Sequence, residues 1–99
     1  YKMKKKIIII IALFVLTAFN TEEKITVNGK VFDNNESLAG VKIVLDDRVF
    51  YTDLDGNFTI DNLKRGEHKI SFSLISYNTK EVTFNPAKEN ILNIKLKTK

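Results

Sequence analysis

The sequence of 99 residues contains no cysteine and no tryptophan, and it has a single histidine and a single proline. Without cysteine the chain can form no disulfide bond and no thiolate metal site, and it cannot carry a lipid on a cysteine. A catalytic zinc usually takes three protein ligands, often several of them histidine, and His68 alone cannot supply that set. The composition therefore excludes a thiolate metal site and argues against a catalytic zinc site, and we expect no metal site and no cofactor.

The excess positive charge is confined to the start of the chain. The formal net charge is +4; four of the 16 basic residues precede residue 21, and the other 12 equal the 12 acidic residues. The sequence pI of about 9.3 therefore reflects a short basic segment followed by a domain without net charge. A nucleic-acid-binding protein would carry its basic residues on the folded domain, so we expect no nucleic-acid partner.

The first residues have the pattern of an export signal. Three lysines at residues 4–6 precede an apolar run at residues 7–19 that only Thr17 interrupts, and this order is typical of a secretory signal peptide. As a helix, the run would span about 20 Å, which is short of the roughly 30 Å hydrocarbon core of a bilayer. We predict a signal peptide at residues 1–22, with the true start at Met3. An uncleaved anchor and a buried helix are the alternatives.

We expect the protein to be exported to the periplasm, the outer membrane or the exterior of a bacterial cell, and to touch a membrane only through the leader before cleavage. Residues 23–99 then form one small domain.

Apolar and polar residues alternate along most of the chain after Asn20. Such alternation gives a strand one dry and one wet face, which is typical of antiparallel sheets. Polar turns separate the runs, and Asp55-Gly56 predicts a type I′ hairpin turn. The spacing predicts an all-β, seven-stranded antiparallel β-sandwich, preceded by the signal helix. The alternating runs lie at residues 25–31, 41–45, 58–60, 70–74, 82–84 and 92–96.

Five short motifs, in the same order along the chain, resemble those of carboxypeptidase-regulatory-like domains. They are VNGKV (27–31), SLAGV (37–41), TDLDGNF (52–58), LKRGEH (63–68) and FSLISY (72–77). Ser37 and Ser76 stand where the family has proline and glycine. The resemblance implies a transthyretin-like sandwich without peptidase activity. In bacteria such domains are small exported proteins or N-terminal extensions of TonB-dependent outer-membrane receptors.

The acidic turn near the middle of the chain invites comparison with a calcium loop. An EF-hand needs oxygen ligands at alternate positions, an invariant glycine at position six and a bidentate Glu at position twelve. With Gly56 at position six, Tyr51 takes position one and Asn62 takes position twelve, and neither fits. Asp53 and Asp55 are therefore interpreted as turn residues that bond their own backbone.

No arrangement of nucleophile and base stands out. The carboxylate pairs Asp46-Asp47 and Glu22-Glu23 would point to opposite faces of a strand, so they form no acid/base couple. Three serines, Ser71, Ser73 and Ser76, have no base nearby in the sequence, although nucleophilic catalysis requires one. We predict that the protein is not an enzyme.

Collagen-adhesin B-type repeats have a similar layout and cross-link a Lys to an Asn beside an acidic residue. Lys30 and Asn93 could form such an isopeptide bond. The strand that would supply the acid has none after Glu67, so the catalyst is missing.

The most specific prediction for binding concerns large side chains on strands and turns. Phe50 and Tyr51 should occupy opposite faces of one strand, so that one of them is exposed, and Tyr77, Val44 or Ile75 are further candidates. We predict partner contacts at Phe50, Tyr51 and Tyr77, through loops at one end of the sandwich or through an edge strand.

The function expected from these observations is a non-catalytic binding or structural module of the bacterial cell envelope, whose partner is an envelope protein or a glycan. The alternatives are the N-terminal extension of an outer-membrane receptor and a calcium- or carbohydrate-binding module. The sequence indicates no particular oligomeric state.

Overall fold

The computed structural model describes residues 23–99, so the predicted signal peptide lies outside the described residues. Within this range every regular element is a β-strand, which confirms the all-β prediction. None of these residues form a helix long and apolar enough to cross a bilayer. The strands are β1 (Ile25–Phe32), β2 (Lys42–Leu45), β3 (Arg48–Tyr51), β4 (Asn57–Leu63), β5 (His68–Ser73), β6 (Lys80–Phe84) and β7 (Ile91–Lys95).

The strands form two sheets, one in the order β4-β1-β7 and the other in the order β3-β2-β5-β6. Neighbouring strands are antiparallel with one exception, since β7 runs parallel to β1 from the pair Asn28/Ile91 to the pair Phe32/Lys95. The prediction of a wholly antiparallel sandwich is therefore wrong at this pair. Alternation of apolar and polar residues reports which face of a strand is buried, and it carries no information about strand direction.

The two sheets pack face to face around one core. The buried apolar residues of both sheets form a single cluster, and the ring of Phe58 in β4 lies against that of Phe72 in β5, with centroids 5.7 Å apart. Burial of each such side chain is worth about 1.5–3 kcal/mol before the entropy of ordering is subtracted. The expected β-sandwich is the arrangement that these residues adopt.

Gly29 lets the first strand pass beneath an aromatic ring. It faces Phe58 across the β1–β4 pair, and a Cβ atom at this position would overlap the Phe58 ring and the carbonyl oxygen of Leu92. The absence of a side chain at residue 29 is therefore a packing requirement of the core.

The turn chemistry differs from the expectation at two places. Asp46 and Asp47, with φ values of 49° and 58°, form the two-residue turn between β2 and β3. Positive φ at both central residues is the mark of a type I′ turn. The interpretation of this pair as strand residues is therefore wrong. In the Asp55-Gly56 pair only Gly56 has a positive φ, at 79°, so a type I′ turn is not formed there.

Candidate functional site

One end of the sandwich gathers most of the long connections. Lys42 at the start of β2 pairs with Tyr51 on one side and with Ser73 on the other, so β3 and β5 finish at the same end. The amide of Lys99 donates to the carbonyl of Ser76, which brings the last residues to this end as well. We call the residues 33–41, 52–56, 74–79 and 96–99 the loop end.

The connection between β1 and β2 is organised by a carboxylate. Asp33 Oδ1 accepts hydrogen bonds from the amides of Asn35 and Glu36, both at 2.8 Å. The hydroxyl of Tyr77 donates to Asp33 Oδ2 at 2.6 Å across a sequence separation of 44 residues. These bonds fasten the β5–β6 connection to the β1–β2 connection.

The same contact perturbs both titratable groups. The hydrogen bond from Tyr77, followed by those from the amides of Asn35 and Glu36, lowers the pKa of the Asp33 carboxyl. The hydrogen bond to the Asp33 carboxylate in turn raises the pKa of Tyr77, followed by burial of the phenol and then by the negative charge of Asp33. Each shift favours the state in which Asp33 is ionised and Tyr77 keeps its proton.

The buried hydroxyl of Thr52 joins the end of β3 to the β1–β2 connection. Thr52, 6% exposed, donates from Oγ1 to the carbonyl of Leu38 at 2.7 Å and accepts from the amide of Val41 at 2.9 Å. Backbone bonds from Gly40 to Thr52 and from Thr52 to Val41 continue the contact. The end of β3 and the start of β2 are therefore fixed to each other.

The β3–β4 turn follows and projects an aliphatic side chain. Asp53 Oδ1 accepts from the amides of Asp55 and Asn57, both at 2.9 Å, and the amide of Gly56 donates to the Asp53 carbonyl. This is the arrangement expected of a turn in which an aspartate bonds its own backbone. Leu54 at the tip is 91% exposed. We call residues 53–55 the Leu54 knob.

The same end of the sandwich also has a hollow whose lining includes two lysines. It is an open depression of about 390 Å³ whose lining includes Lys42, Leu74, Ile75, Tyr77 and Lys99. Ile75 is 89% exposed. We call these five residues the lysine hollow. Ser76, next to Ile75, has a φ of 73°, so a serine occupies a backbone conformation that favours glycine.

The three predicted contact residues have different environments. Tyr51 is 63% exposed on the outer face of β3. Phe50 is half-buried against the core, with the Arg48 guanidinium 4.8 Å from its ring centroid. Tyr77 also packs partly against the core and uses its hydroxyl to hold Asp33.

Leu54 is the most exposed large apolar side chain of residues 23–99, and it is not among the predicted contact residues. A leucine between two aspartates in a turn is exposed whichever way the strands pair, so the sequence did contain the signal.

The edges of the two sheets are partly occupied. Arg48 on β3 donates to the carbonyl of Asp61 at 2.7 Å and to its carboxylate at 2.8 Å, which covers part of the β4 edge. On the other side of the sandwich, the amide of Asn78 donates to the carbonyl of Lys97. A partner strand would have to displace these contacts in order to add at either place.

His68 lies at the opposite end of the molecule and has partners on both ring nitrogens. Nδ1 contacts the carboxylate of Asp46 at 2.8 Å, and Nε2 contacts the carbonyl oxygen of Lys64 at 2.7 Å. The side chain is 12% exposed, and its ring lies beside that of Phe84. His68 therefore joins the β2–β3 turn to the start of β5. Residues 23–99 contain no cluster of acidic, histidine or cysteine side chains suited to hold a metal ion.

The residues considered for an isopeptide bond or for nucleophilic catalysis lie on the outer faces of the sheets. Lys30 and Asn93 are direct neighbours on β1 and β7, both exposed, and the residue opposite Lys30 on β4 is Asn57, which is not an acid. Ser71 and Ser73 are half-buried on β5, where their cross-strand partners in β2 are Val44 and Lys42.

Comparison with known proteins agrees with the motifs and the fold. No curated protein matches the sequence. The profile of the family described as CarboxypepD_reg-like domain matches residues 27–99, which include every strand described above except the first two residues of β1. This chain therefore belongs to the CarboxypepD_reg-like domain family.

Proposed function

We propose that the protein is an exported, non-catalytic module of the bacterial cell envelope that binds a partner protein through its loop end. The carrying observation is that the two most exposed large apolar side chains of residues 23–99, Leu54 and Ile75, lie on different connections at the same end. Single exposed apolar residues are common on protein surfaces, whereas a group of them in one region is typical of a binding surface.

The stiffness of the loop end supports this proposal. The Asp33–Tyr77 contact and the Thr52 hydroxyl tie three connections together. A surface that is already ordered loses little conformational entropy when a partner binds, so more of the contact energy appears as affinity. Tyr51, next to Lys42 across the β2–β3 pair, extends the surface onto the outer face of the sheet.

Export is the second part of the proposal. It rests on the basic and apolar pattern of residues 1–22, and it assigns the binding partner to the periplasm, the outer membrane or the exterior. The family resemblance supports a transthyretin-like relation of the two sheets. Among residues 23–99 the His68–Asp46 pair joins the β2–β3 turn to the start of β5, and no serine hydroxyl is bonded to it, which supports the proposal that the module is not an enzyme.

Site-specific photo-cross-linking of the full chain in intact cells tests the binding surface. A photoreactive phenylalanine analogue would replace Leu54 or Ile75, and the matched control would replace Lys88, which lies in the β6–β7 connection at the other end. We expect both loop-end positions, and not the control, to cross-link to an envelope protein identified by mass spectrometry. The proposal would be contradicted if all three positions gave equal amounts of cross-linked product, or if no position gave any. Cell fractionation with sequencing of the processed N-terminus tests export independently.

A further inference from the structure

Two surfaces of the loop end, the Leu54 knob and the lysine hollow, carry opposite charges, and each has an exposed apolar side chain. The Leu54 knob places the carboxylates of Asp53 and Asp55 on either side of an exposed leucine. The lining of the lysine hollow includes Lys42, Lys99 and the exposed Ile75, and no Asp or Glu side chain contributes to it. An apolar group flanked by negative charges is the chemistry that the hollow would recognise, and the knob has this chemistry.

The knob cannot enter the hollow of its own chain, because its turn is fastened at both ends. The carbonyl of Gly56 accepts from the amide of Val31 at 2.8 Å, and the carbonyl of Thr52 accepts from the amide of Gly40 at 3.1 Å. Any knob that occupies the hollow must therefore come from another molecule.

We propose that the occupant is a second copy of this chain, and that each copy inserts its Leu54 knob into the lysine hollow of the other. Because knob and hollow lie at the same end, a two-fold axis through that end can place each knob opposite the other copy's hollow. Both contacts then form at once, and the assembly closes as a dimer. The inference rests on the proposed role of the loop end as a binding surface and names its partner.

Both surfaces gain from this arrangement. Leu54 and Ile75 would lose most of their contact with water, which is the main favourable term in association. The lysines would meet carboxylates in place of solvent, which fixes the register of the two copies and disfavours other partners.

The absence of cysteine in the natural sequence makes disulfide trapping a direct test. Two full-length chains with different epitope tags would be produced together, one with Leu54→Cys and the other with Ile75→Cys, and the cells would be mildly oxidised. We expect a covalent dimer that contains both tags. The matched control replaces Ile75→Cys by Lys88→Cys, and it should give no dimer above background.

A charge exchange tests complementarity in the same trapping assay. Asp55→Lys is chosen because the Asp55 carboxylate makes no hydrogen bond among the described residues, whereas Asp53 holds the turn. When both chains carry Asp55→Lys, or both carry Lys42→Glu with Lys99→Glu, we expect about tenfold less dimer, because like charges across an interface disfavour association. Pairing one chain of each kind should restore the dimer, since each knob then faces a hollow without repulsion.

The outcomes separate the dimer from the general binding role. Trapping no stronger than in the Lys88→Cys control, or a charge exchange without restoration, would overturn the dimer. If photo-cross-links at Leu54 nevertheless reach another envelope protein, the proposed function stands without the dimer. If they reach only a second copy, the dimer is supported, and that copy is the partner of the loop end.

Discussion

Replacement of Thr52 by valine should destabilise the domain far more than its small change in shape suggests. Valine has nearly the same volume as threonine, but it can neither donate to the Leu38 carbonyl nor accept from the Val41 amide. Leu38 and Val41 are buried, so the freed carbonyl and amide would not be compensated by water.

The size of the effect follows from these two hydrogen bonds. Each bond contributes about 0.5–1.5 kcal/mol, and a buried group that loses its partner costs about 1–3 kcal/mol. We therefore expect Thr52→Val to lower the free energy of unfolding by about 3 kcal/mol. In a domain of this size, that corresponds to a fall in Tm of roughly 12–24 °C.

The measurement is denaturant and thermal unfolding followed by far-ultraviolet circular dichroism, since the chain has no tryptophan for fluorescence. Thr52→Ser is the matched control, because it keeps the hydroxyl and removes one methyl group, at a cost of about 1 kcal/mol. If Thr52→Val is no more destabilising than Thr52→Ser, the hydroxyl does not hold the loop end, and the reasoning is wrong.

Three other predictions concern a glycine, a strained serine and a titratable pair. Gly29→Ala should lower the free energy of unfolding by about 3 kcal/mol, which is the upper end of the range for overpacking, because the Leu92 carbonyl oxygen belongs to the backbone and cannot move out of the way. A loss below about 0.5 kcal/mol, which is typical of a neutral surface substitution, would contradict this prediction. Ser76→Gly should raise the free energy of unfolding by about 0.5–1 kcal/mol, because glycine adopts a positive φ without the energetic cost that other residues incur. Ser76→Ala keeps this backbone strain and should show no such gain in stability. The lowered pKa of Asp33 predicts a contribution to stability that is complete above its ordinary value of 3.8 and is lost as the pH falls through the folded-state pKa. The raised pKa of Tyr77 predicts a second loss as the pH rises through a value above 10.0. Unfolding measured across the pH range should show both losses in the natural protein, and Tyr77→Phe should reduce both; an unchanged pH profile in that variant would show that the contact contributes nothing.

The sequence predicted the faces of the strands better than their partners. Val27 and Val31 are buried and Thr26 and Lys30 are exposed, as their alternation indicates, because a side chain's face depends only on its position in the strand. The parallel pairing of β1 with β7 was not predictable in this way, because it depends on how the two sheets pack and not on any local preference.

In the turns and the candidate site, too, features set by local sequence were predictable, and contacts between distant residues were not. The Asp46-Asp47 turn escaped notice because it has neither the glycine nor the asparagine that usually mark a type I′ turn. The exposure of Tyr51 follows from the strand pattern. The bond between Tyr77 and Asp33 joins residues 44 positions apart, and only the fold brings them together.

The parallel pair also sets the order in which the chain can mature. β1 lies in the middle of its sheet, and its partner on one side is a strand whose pairing begins at Ile91. While a ribosome is still making the preceding residues, β1 has an open edge and the sheet cannot close. The β4-β1-β7 sheet can therefore close only after β7 has been synthesised, and a sheet that closes this late would be compatible with the export that we propose.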